Sequence, residues 1–362
     1  MALCNYQSLI LAAIPFLTIN ILIPQLATSQ EAFKPDITVA ADGTGDYRTI
    51  SEAVRAATNH STKPFVIFVK RGKYIEHLQV GKEKTNIHLI GEGMGVTVIS
   101  GSRSNHTGYR TSDTATVDVK GEKFFARDLT ISKAVGKEMN QAVALQSRSE
   151  KSVFYRVEIV GYQDTLYAHS KVQFYRECKI TGTVDFIFGN AAAVFQKCTI
   201  QTRQSLIDKQ TNTITAHGRD NGNERTGFVF HLCTISEESD LKAAATYDEP
   251  ISRGAAVKTY LGRPWREYAV TVFMECYMSE IVDPIGWLEW NKTFDSTVLY
   301  GEYRNVGPGA VLTDRVKWRG FHAINNSDVA RQFTISEFLH GDTWIPAFGV
   351  PYQGGLTTSE IQ

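Results

Sequence analysis

The chain has 362 residues, of which 43% are hydrophobic and 21% charged, so it is long enough to bury a large core and is not intrinsically disordered. Its 38 basic and 38 acidic residues give a formal net charge of zero. This balance argues against a nucleic-acid partner or a polybasic membrane contact, and a polyanionic substrate would have to be held by local geometry.

The N-terminal segment is free of charge. Residues 1–29 contain no Lys, Arg, Asp, Glu or His, and an apolar run extends from Leu9 to Leu26. We predict that residues 1–29 are a secretory signal peptide and that residues 30–362 form one catalytic domain. A retained membrane anchor is the alternative, because the run approaches the length of a membrane span, although Pro15 and Pro24 interrupt it.

Secretion is consistent with four N-glycosylation sequons, which predict surface positions in an extracellular protein. Their acceptor residues are Asn59, Asn105, Asn291 and Asn325.

The first elements after this segment are short. Residues 37–46 predict a strand and a glycine-rich turn, and residues 51–57 an amphipathic helix with Ser51 near its start. Residues 65–69, 87–90 and 96–99 read as strands separated by glycine-led turns. The glycine cluster at residues 91–95 lacks a following helix and is interpreted as a corner of the chain.

A repeated strand pattern of aromatic and aliphatic residues occupies the middle of the chain. Periods of about 20 to 50 residues with short strands are typical of a solenoid, and the alternation of apolar positions predicts a parallel β-helix closed by short capping helices. We interpret residues 201–226 and 236–260 as loops that wall a cleft, and residues 333–339 as a terminal helix. The copies lie at residues 125–131, 154–159, 174–180, 194–200, 229–235 and 272–278.

Two aspartates, Asp164 and Asp185, stand 21 residues apart in matched Gly-x-x-Asp settings. One coil of a β-helix separates them, and stacked parallel strands are only ~4.8 Å apart, so both carboxyls should meet on one outer face. Aspartate after glycine also caps turns. With Gln141 and Gln163 in reach, the pair indicates a two-carboxylate site.

Four cysteines share the same position of the repeat and predict an inward ladder. Neighbouring rungs would form disulfides in an oxidising compartment, and a buried stack of free thiols is the alternative. Neither a Cys-x-x-Cys motif nor a histidine cluster suggests zinc. The bridged pairs would be Cys198 with Cys233, or Cys178 with Cys198 together with Cys233 with Cys276.

Five motifs in order make the chain resemble the plant pectin methylesterases over almost its whole length, from about residue 37 to 351. The resemblance implies an all-β fold, a right-handed single-stranded parallel β-helix with short capping helices. It also implies an aspartyl esterase that removes methyl esters from cell-wall pectin. The motifs lie at residues 72–76, 141–145, 161–166, 185–189 and 261–265.

The resemblance assigns roles to the site residues. Asp185 would be the nucleophile, Asp164 the general acid and then base, and Arg263 the group that orients and ionises Asp185. Gln141 and Gln163 would stabilise the oxyanion.

Further residues are implied as substrate contacts. Trp265 would stack on a sugar ring, and Thr111, Gln141 and Arg263 would also bind substrate. His217 stands where we expect glutamine in relatives, which affects the wall of the cleft. Further aromatic residues that are either cleft-lining or core are Tyr162, Tyr167, Phe186 and Trp287.

The implied partners are methylated homogalacturonan and a proteinaceous pectinesterase inhibitor, with no nucleic acid. We expect a secreted monomer of the cell wall that needs no metal or organic cofactor. Too few residues lie between the predicted cleavage site and Ala40 for the N-terminal inhibitory pro-region that several plant members carry, so we expect a form without it.

Two other classes remain as alternatives. Pectate lyases and polygalacturonases share the fold, but they need calcium-binding carboxylates or carboxylates spaced for inverting hydrolysis. A non-catalytic wall-binding homologue is the second alternative. Glutamines rather than further carboxylates around the aspartate pair favour acyl transfer.

Overall fold

The structure is a computed structural model that describes residues 34–133, 140–204, 211–238 and 257–357. The predicted signal peptide, residues 1–29, lies outside these ranges and stays a prediction.

The described strands are short and mostly buried. They are β1 (Ile37–Val39), β2 (Phe65–Val69), β3 (Gly72–Ile75), β4 (Leu78–Val80), β5 (Ile87–Ile90), β6 (Thr97–Gly101), β7 (Val117–Val119), β8 (Phe125–Lys133), β9 (Leu145–Ser147), β10 (Ser152–Val160), β11 (Leu166–Ala168), β12 (Val172–Arg176), β13 (Lys179–Gly182), β14 (Ile187–Gly189), β15 (Ala192–Gln196), β16 (Thr199–Thr202), β17 (Asn212–His217), β18 (Gly227–His231), β19 (Thr234–Glu237), β20 (Thr259–Gly262), β21 (Val270–Met274), β22 (Tyr277–Met278), β23 (Leu299–Tyr303) and β24 (Phe321–Ala323).

All named strand pairs are parallel, and the strands stack as three faces of a β-helix. Face one contains β1, β2, β5, β12, β15, β18, β21, β23 and β24. Face two contains β3, β6, β13, β16, β19 and β22. The nine-residue strands β8 and β10 run through both faces and join them into one sheet. Face three is a separate sheet of β4, β7, β9, β11, β14, β17 and β20.

The corner between faces one and two is set by a residue in the left-handed backbone conformation. In seven of the described coils the same position takes a φ between 49° and 58°, which turns the strand sharply without a glycine. The next residue points into the core, and in four coils it is a cysteine. These corner residues are Asp128, Arg156, Glu177, Lys197, Leu232, Glu275 and Arg304.

Aromatic rings from face one form a continuous stack inside the coil. Phe154, Tyr175, Phe195, Phe230 and Phe273 are stacked with ring centroids 4.8, 4.6, 4.6 and 4.5 Å apart. In-register parallel pairing places equivalent side chains directly above one another, so the repeated aromatic position in the sequence becomes the spine of the core.

The four cysteines are buried free thiols, which is the unbridged alternative of the two that the sequence left open. Each thiol donates a hydrogen bond to a backbone carbonyl, as Cys178 does to Phe154 at 3.2 Å. In-register parallel strands hold their Cβ atoms about 4.8 Å apart, which is more than the roughly 3.8 Å of a disulfide. The predicted disulfides of Cys178, Cys198, Cys233 and Cys276 are therefore absent from the structure.

Helices close the solenoid. Helix α1 (Ile50–Ala56) covers its open end with Ile50, Ala53 and Val54, and it begins one residue before the predicted start. Its N-cap is Thr49, in a capping box with Glu52. The described C-terminal helices α2 (Ser327–Arg331) and α3 (Ile335–Phe338) lie against the outside of face one. Short 3-10 turns occur at Asn105–Thr107, Thr111–Asp113, Phe294–Ser296, Pro308–Ala310, Gly341–Thr343 and Ile345–Phe348.

The interpretation of residues 201–226 and 236–260 as loops was wrong in part. Strand β17 and the first residues of β20 fall within these ranges and belong to face three. Strand β17 is fully buried, yet most of its side chains are Asn, Thr and His, which form hydrogen bonds in place of apolar contacts. Only Ile214 and the small Ala216 alternate with them, so its apolar pattern is weak.

Candidate active site

Two equivalent turns carry Asp164 and Asp185 from face two to face three. Leu166 pairs in register with Ile187, so the aspartate two residues before each is stacked on the other, one coil apart. The N–H of Asp164 donates to the carbonyl of Val184 at 3.1 Å, which ties the turns together. Both aspartates have a left-handed φ, 61° and 50°, which Asp adopts more readily than most residues.

The glycine three residues before each aspartate is required by close packing. A Cβ at Gly161 would lie 2.5 Å from Oγ1 of Thr165, and a Cβ at Gly182 would collide with the side chain of Phe186. The shared Gly-x-x-Asp pattern is therefore the signature of a turn folded tightly against the next strand.

Asp185 is held by three side-chain hydrogen bonds. Arg263, directly after β20, donates from Nε to Oδ1 at 2.8 Å and from Nη2 to Oδ2 at 2.7 Å, which is the bidentate geometry of a strong ion pair. Thr213 of β17 donates its hydroxyl to Oδ1 at 2.7 Å. The carboxylate is 6% exposed, and its orientation is fixed before any substrate arrives.

Asp164 has no cationic partner of its own among the described residues and is only 8% exposed. Burial is the largest effect and raises its pKa well above the ordinary value, and the negative charge of Asp185 raises it further. The charge of Arg263 opposes these effects but does not reverse them. The two carboxyls therefore differ: the pKa of Asp164 is raised by burial and by the charge of Asp185, whereas Asp185 is ion-paired with Arg263.

A cleft of about 480 Å³ opens above these carboxyls. Gln141 and Gln163 are half-buried at its wall, and among the described residues their side-chain amides have no hydrogen-bond partner, so their N–H groups are available to a ligand. The sequence-predicted site residues meet in this cleft. The lining residues are Thr111, Ser112, Gln141, Gln163, Asp164, Tyr167, Asp185, Phe188, Ala216, Arg263, Trp265 and Trp290.

One wall of the cleft is aromatic. The rings of Tyr167 and Phe188 are stacked at 4.2 Å, and the indole of Trp265 meets Phe188 edge-on at 6.1 Å. Gly218 seats the indole, because a Cβ there would lie 2.6 Å from Cε3 of Trp265. Flat apolar faces beside hydrogen-bonding groups suit the two sides of a sugar ring.

Two of the aromatic residues considered as cleft-lining belong to the core. Phe186 and Trp287 are fully buried, and Trp287 stacks on Tyr300 at 4.0 Å. Tyr162 packs beside the site under the guanidinium of Arg203, 4.3 Å from its ring centroid. Only Tyr167 of the four lines the cleft.

His217 does not contribute to the cleft wall as the sequence interpretation expected. It is fully buried, its Nδ1 accepts from the N–H of Val270 at 3.1 Å, and its ring meets Phe228 edge-on. Burial lowers its pKa to about 3, so the ring is neutral. A change between histidine and glutamine here alters core packing rather than the reacting groups.

Sequence reasoning missed Trp290 and Thr213. Trp290 is 45% exposed and covers the guanidinium of Arg263, 4.4 Å from its ring centroid. Trp290 stands three residues after Trp287, and the sequence does not show which of the two indoles is exposed. Thr213 carried no signal, because buried threonines recur along β17.

A family model, described as pectinesterase, matches residues 36–342. The chain belongs to the pectinesterase family. It is 50% identical over 324 residues to "Probable pectinesterase/pectinesterase inhibitor 32" of Arabidopsis thaliana, a match that covers 89% of this chain and 60% of the relative. The chain thus spans about three fifths of the length of the curated relatives it matches first.

Solved structures of the pectinesterase family share the fold. Pectin methylesterase from carrot aligns with a TM-score of 0.84 and 43% identity over 89% of this chain and 98% of the carrot chain. This likeness confirms the predicted right-handed parallel β-helix. A pectin methylesterase in complex with a hexasaccharide aligns with a TM-score of 0.68 and 26% identity, over 90% of this chain and 100% of the other.

The glycosylation sequons, metal binding and membrane spans can also be compared with the structure. All four sequon asparagines, Asn59, Asn105, Asn291 and Asn325, are exposed. Within the described ranges, no three His, Cys, Asp or Glu side chains are grouped to hold a metal ion. The helices of the same ranges are all too short or too polar to span a membrane.

Proposed function

We propose that this protein hydrolyses the methyl esters of pectin, releasing methanol and leaving free galacturonate. The observation that carries the proposal is the pair of stacked carboxyls in different surroundings. Arg263 binds both oxygens of Asp185, whereas burial raises the pKa of Asp164 and so favours its neutral form. Acyl transfer through a carboxylate needs this division between a nucleophile and an acid.

In the first half-reaction, an oxygen of Asp185 attacks the ester carbonyl of a methylated galacturonate. The carbonyl electrons move to an oxyanion, which accepts hydrogen bonds from the amides of Gln141 and Gln163. Removing one such donor typically costs on the order of 100-fold in rate. Collapse of the oxyanion expels the methoxy group, which takes the proton of Asp164 and leaves as methanol.

In the second half-reaction, the ionised Asp164 accepts a proton from water, and the resulting hydroxide attacks the galacturonyl carbonyl of the mixed anhydride. The bond to Asp185 breaks and returns its carboxylate. The acid product then loses its proton to solvent. Water and ester have become acid and methanol, and both aspartates are back in their starting states.

The substrate side of the proposal rests on the cleft. Its aromatic wall of Tyr167, Phe188 and Trp265 offers faces for sugar rings beside the reacting groups, and Thr111 lies at the same cleft. The relative solved with a hexasaccharide supports an oligosaccharide-sized ligand. The single cation among the lining residues, Arg263, is engaged by Asp185, which favours a neutral ester over a free carboxylate at the reacting position.

The test is methanol release from highly methylated pectin by the wild-type protein and by Asp185→Asn and Asp164→Asn, with reducing ends and unsaturated products followed in parallel. The proposal expects methanol without chain cleavage, and its loss in both variants. Chain cleavage would place the protein among lyases or hydrolases, and a wild-type protein without activity would favour a wall-binding role.

We also propose that the protein acts as a secreted, glycosylated monomer of the cell wall and is a target of pectinesterase inhibitors. All site groups come from one chain, and the sequon asparagines are exposed. Treatment of the secreted protein with a peptide N-glycosidase should lower its mass. Gel filtration should give one chain per particle, and added inhibitor should suppress methanol release.

A further inference from the structure

Thr213 makes an unusual two-way contact with Asp185. Its Oγ1 accepts a hydrogen bond from the N–H of Asp185 at 2.8 Å and lies 2.7 Å from Oδ1 of the same residue. An N–H can only donate and a carboxylate only accepts, so the single hydroxyl proton of Thr213 must point at Oδ1. One threonine thus holds both the backbone and the carboxylate of Asp185.

The three hydrogen bonds to the carboxylate of Asp185 are distributed unequally between its two oxygens. Oδ1 accepts from Nε of Arg263 and from the hydroxyl of Thr213, whereas Oδ2 accepts, among the residues that the structure describes, only from Nη2 of Arg263. A carboxylate oxygen has about two lone-pair sites, so both sites of Oδ1 are occupied and one site of Oδ2 is open.

We infer that Thr213 is a positioning residue that commits Oδ1 of Asp185 to hydrogen bonding and leaves Oδ2 as the atom that attacks the ester. This inference rests on the proposed function, because it names the reacting atom of the same nucleophile. Arg263 by itself does not distinguish the two oxygens, because it donates one hydrogen bond to each.

The backbone of Thr213 has separate structural contacts. Its N–H donates to the carbonyl of Thr183 at 3.0 Å, and its carbonyl accepts from the N–H of Phe186 at 3.4 Å. These two backbone bonds do not involve the side chain, so they remain in Thr213→Val. That variant removes both side-chain contacts with Asp185, the one to its N–H and the one to Oδ1, whereas Thr213→Ser keeps both.

Thr215 supplies a matched control two residues further along β17. It is also fully buried, but its hydroxyl donates to the carbonyl of Leu261 at 2.9 Å and does not contact an aspartate. Thr215→Val therefore removes the same group from the same strand without touching the nucleophile.

The experiment measures kcat and KM for methanol release, with thermal unfolding, for wild type, Thr213→Val, Thr213→Ser and Thr215→Val. We expect Thr213→Val to lower kcat about 10-fold or more, because a misplaced reacting group is costly, with KM changed less than about 2-fold. Thr213→Ser should recover most of kcat, and Thr215→Val should keep it.

Several outcomes would overturn the inference. Thr213→Val with wild-type kcat would do so, as would Thr213→Ser as slow as Thr213→Val. If Thr213→Val does not fold, Thr213→Cys against Thr213→Ser decides, because a thiol is a weak donor; equal rates would refute the inference. A wild-type protein that releases no methanol would instead refute the proposed function.

Discussion

Arg263 binds both carboxylate oxygens of Asp185 at 2.8 and 2.7 Å although 78 residues separate them in the sequence. The two residues belong to different coils, and the parallel stacking of β14, β17 and β20 brings them together on face three. The ion pair is therefore a product of the solenoid, and β17, the strand stacked between β14 and β20, supplies Thr213.

Arg263→Lys should lower kcat about 100-fold while the protein keeps its fold. Lysine preserves the charge but cannot donate side-on to two oxygens, so Asp185 loses its fixed orientation. Steady-state methanol release checks this prediction. Arg331→Lys, at an exposed pair with Asp328, is the matched control and should be neutral. A fully active Arg263→Lys variant would show that the bidentate geometry is dispensable.

Asp164→Asn should abolish activity and yet raise thermal stability increasingly as the pH rises from about 4. The pKa of Asp164 is raised in the folded protein, so its neutral form contributes stability below the unfolded pKa of about 3.9, and this contribution is lost as pH climbs toward the folded value. Asparagine never ionises. Calorimetric Tm values from pH 4 to 8 test the trend.

The exposed Asp113→Asn is the control for this trend, and its Tm difference from wild type should stay flat over the same range. A constant difference for Asp164→Asn would mean that this carboxyl titrates normally in the folded protein.

Gly218→Ala should raise KM for pectin. The added Cβ would press on the indole of Trp265 at 2.6 Å from Cε3 and displace it from the aromatic wall. Kinetics on methylated pectin measure the effect. Gly355→Ala is the control, because a Cβ there has no neighbour within 4 Å. An unchanged KM would indicate that Trp265 does not contact the sugar.

A reducing agent should leave the Tm of the protein unchanged. Cys178, Cys198, Cys233 and Cys276 are free thiols in the structure, so there is no bridge to break. Removing a native disulfide typically costs about 2 to 5 kcal/mol, which a scan with and without dithiothreitol would detect easily. A thiol titration after denaturation should find all four, and a lowered Tm would show that two rungs are bridged in solution.

Much of the fold could be predicted because successive coils of a solenoid repeat the same sequence pattern. An aromatic residue recurs at the same position of successive coils, at Phe154, Tyr175 and Phe195. This recurrence predicts both where the strands lie and that they stack. Strand β17 was not predicted because its buried threonines donate their hydroxyl hydrogens to residues of other coils. These partners are distant in the sequence, so the local pattern does not show that the threonines are buried.

The candidate site was also predicted only in part. Asp164 and Asp185 could be paired from their 21-residue spacing, whereas the disposition of the aromatic residues could not. Whether Trp287 or Trp290 faces the cleft depends on the path of the chain after β20. In the structure, Trp287 is buried and Trp290 is exposed.

The left-handed corners between faces one and two lie at positions 156, 177, 197, 232 and 275, so coil length is short around the aspartates and long beyond them. The strands on both sides of these corners nevertheless stay paired in register in the longer coils. Segments between strands can therefore differ in length from coil to coil without altering the distance between Asp164 and Asp185. In the proposed esterase, substrate preference and the chemistry of ester cleavage can then evolve, or be engineered, as separate properties.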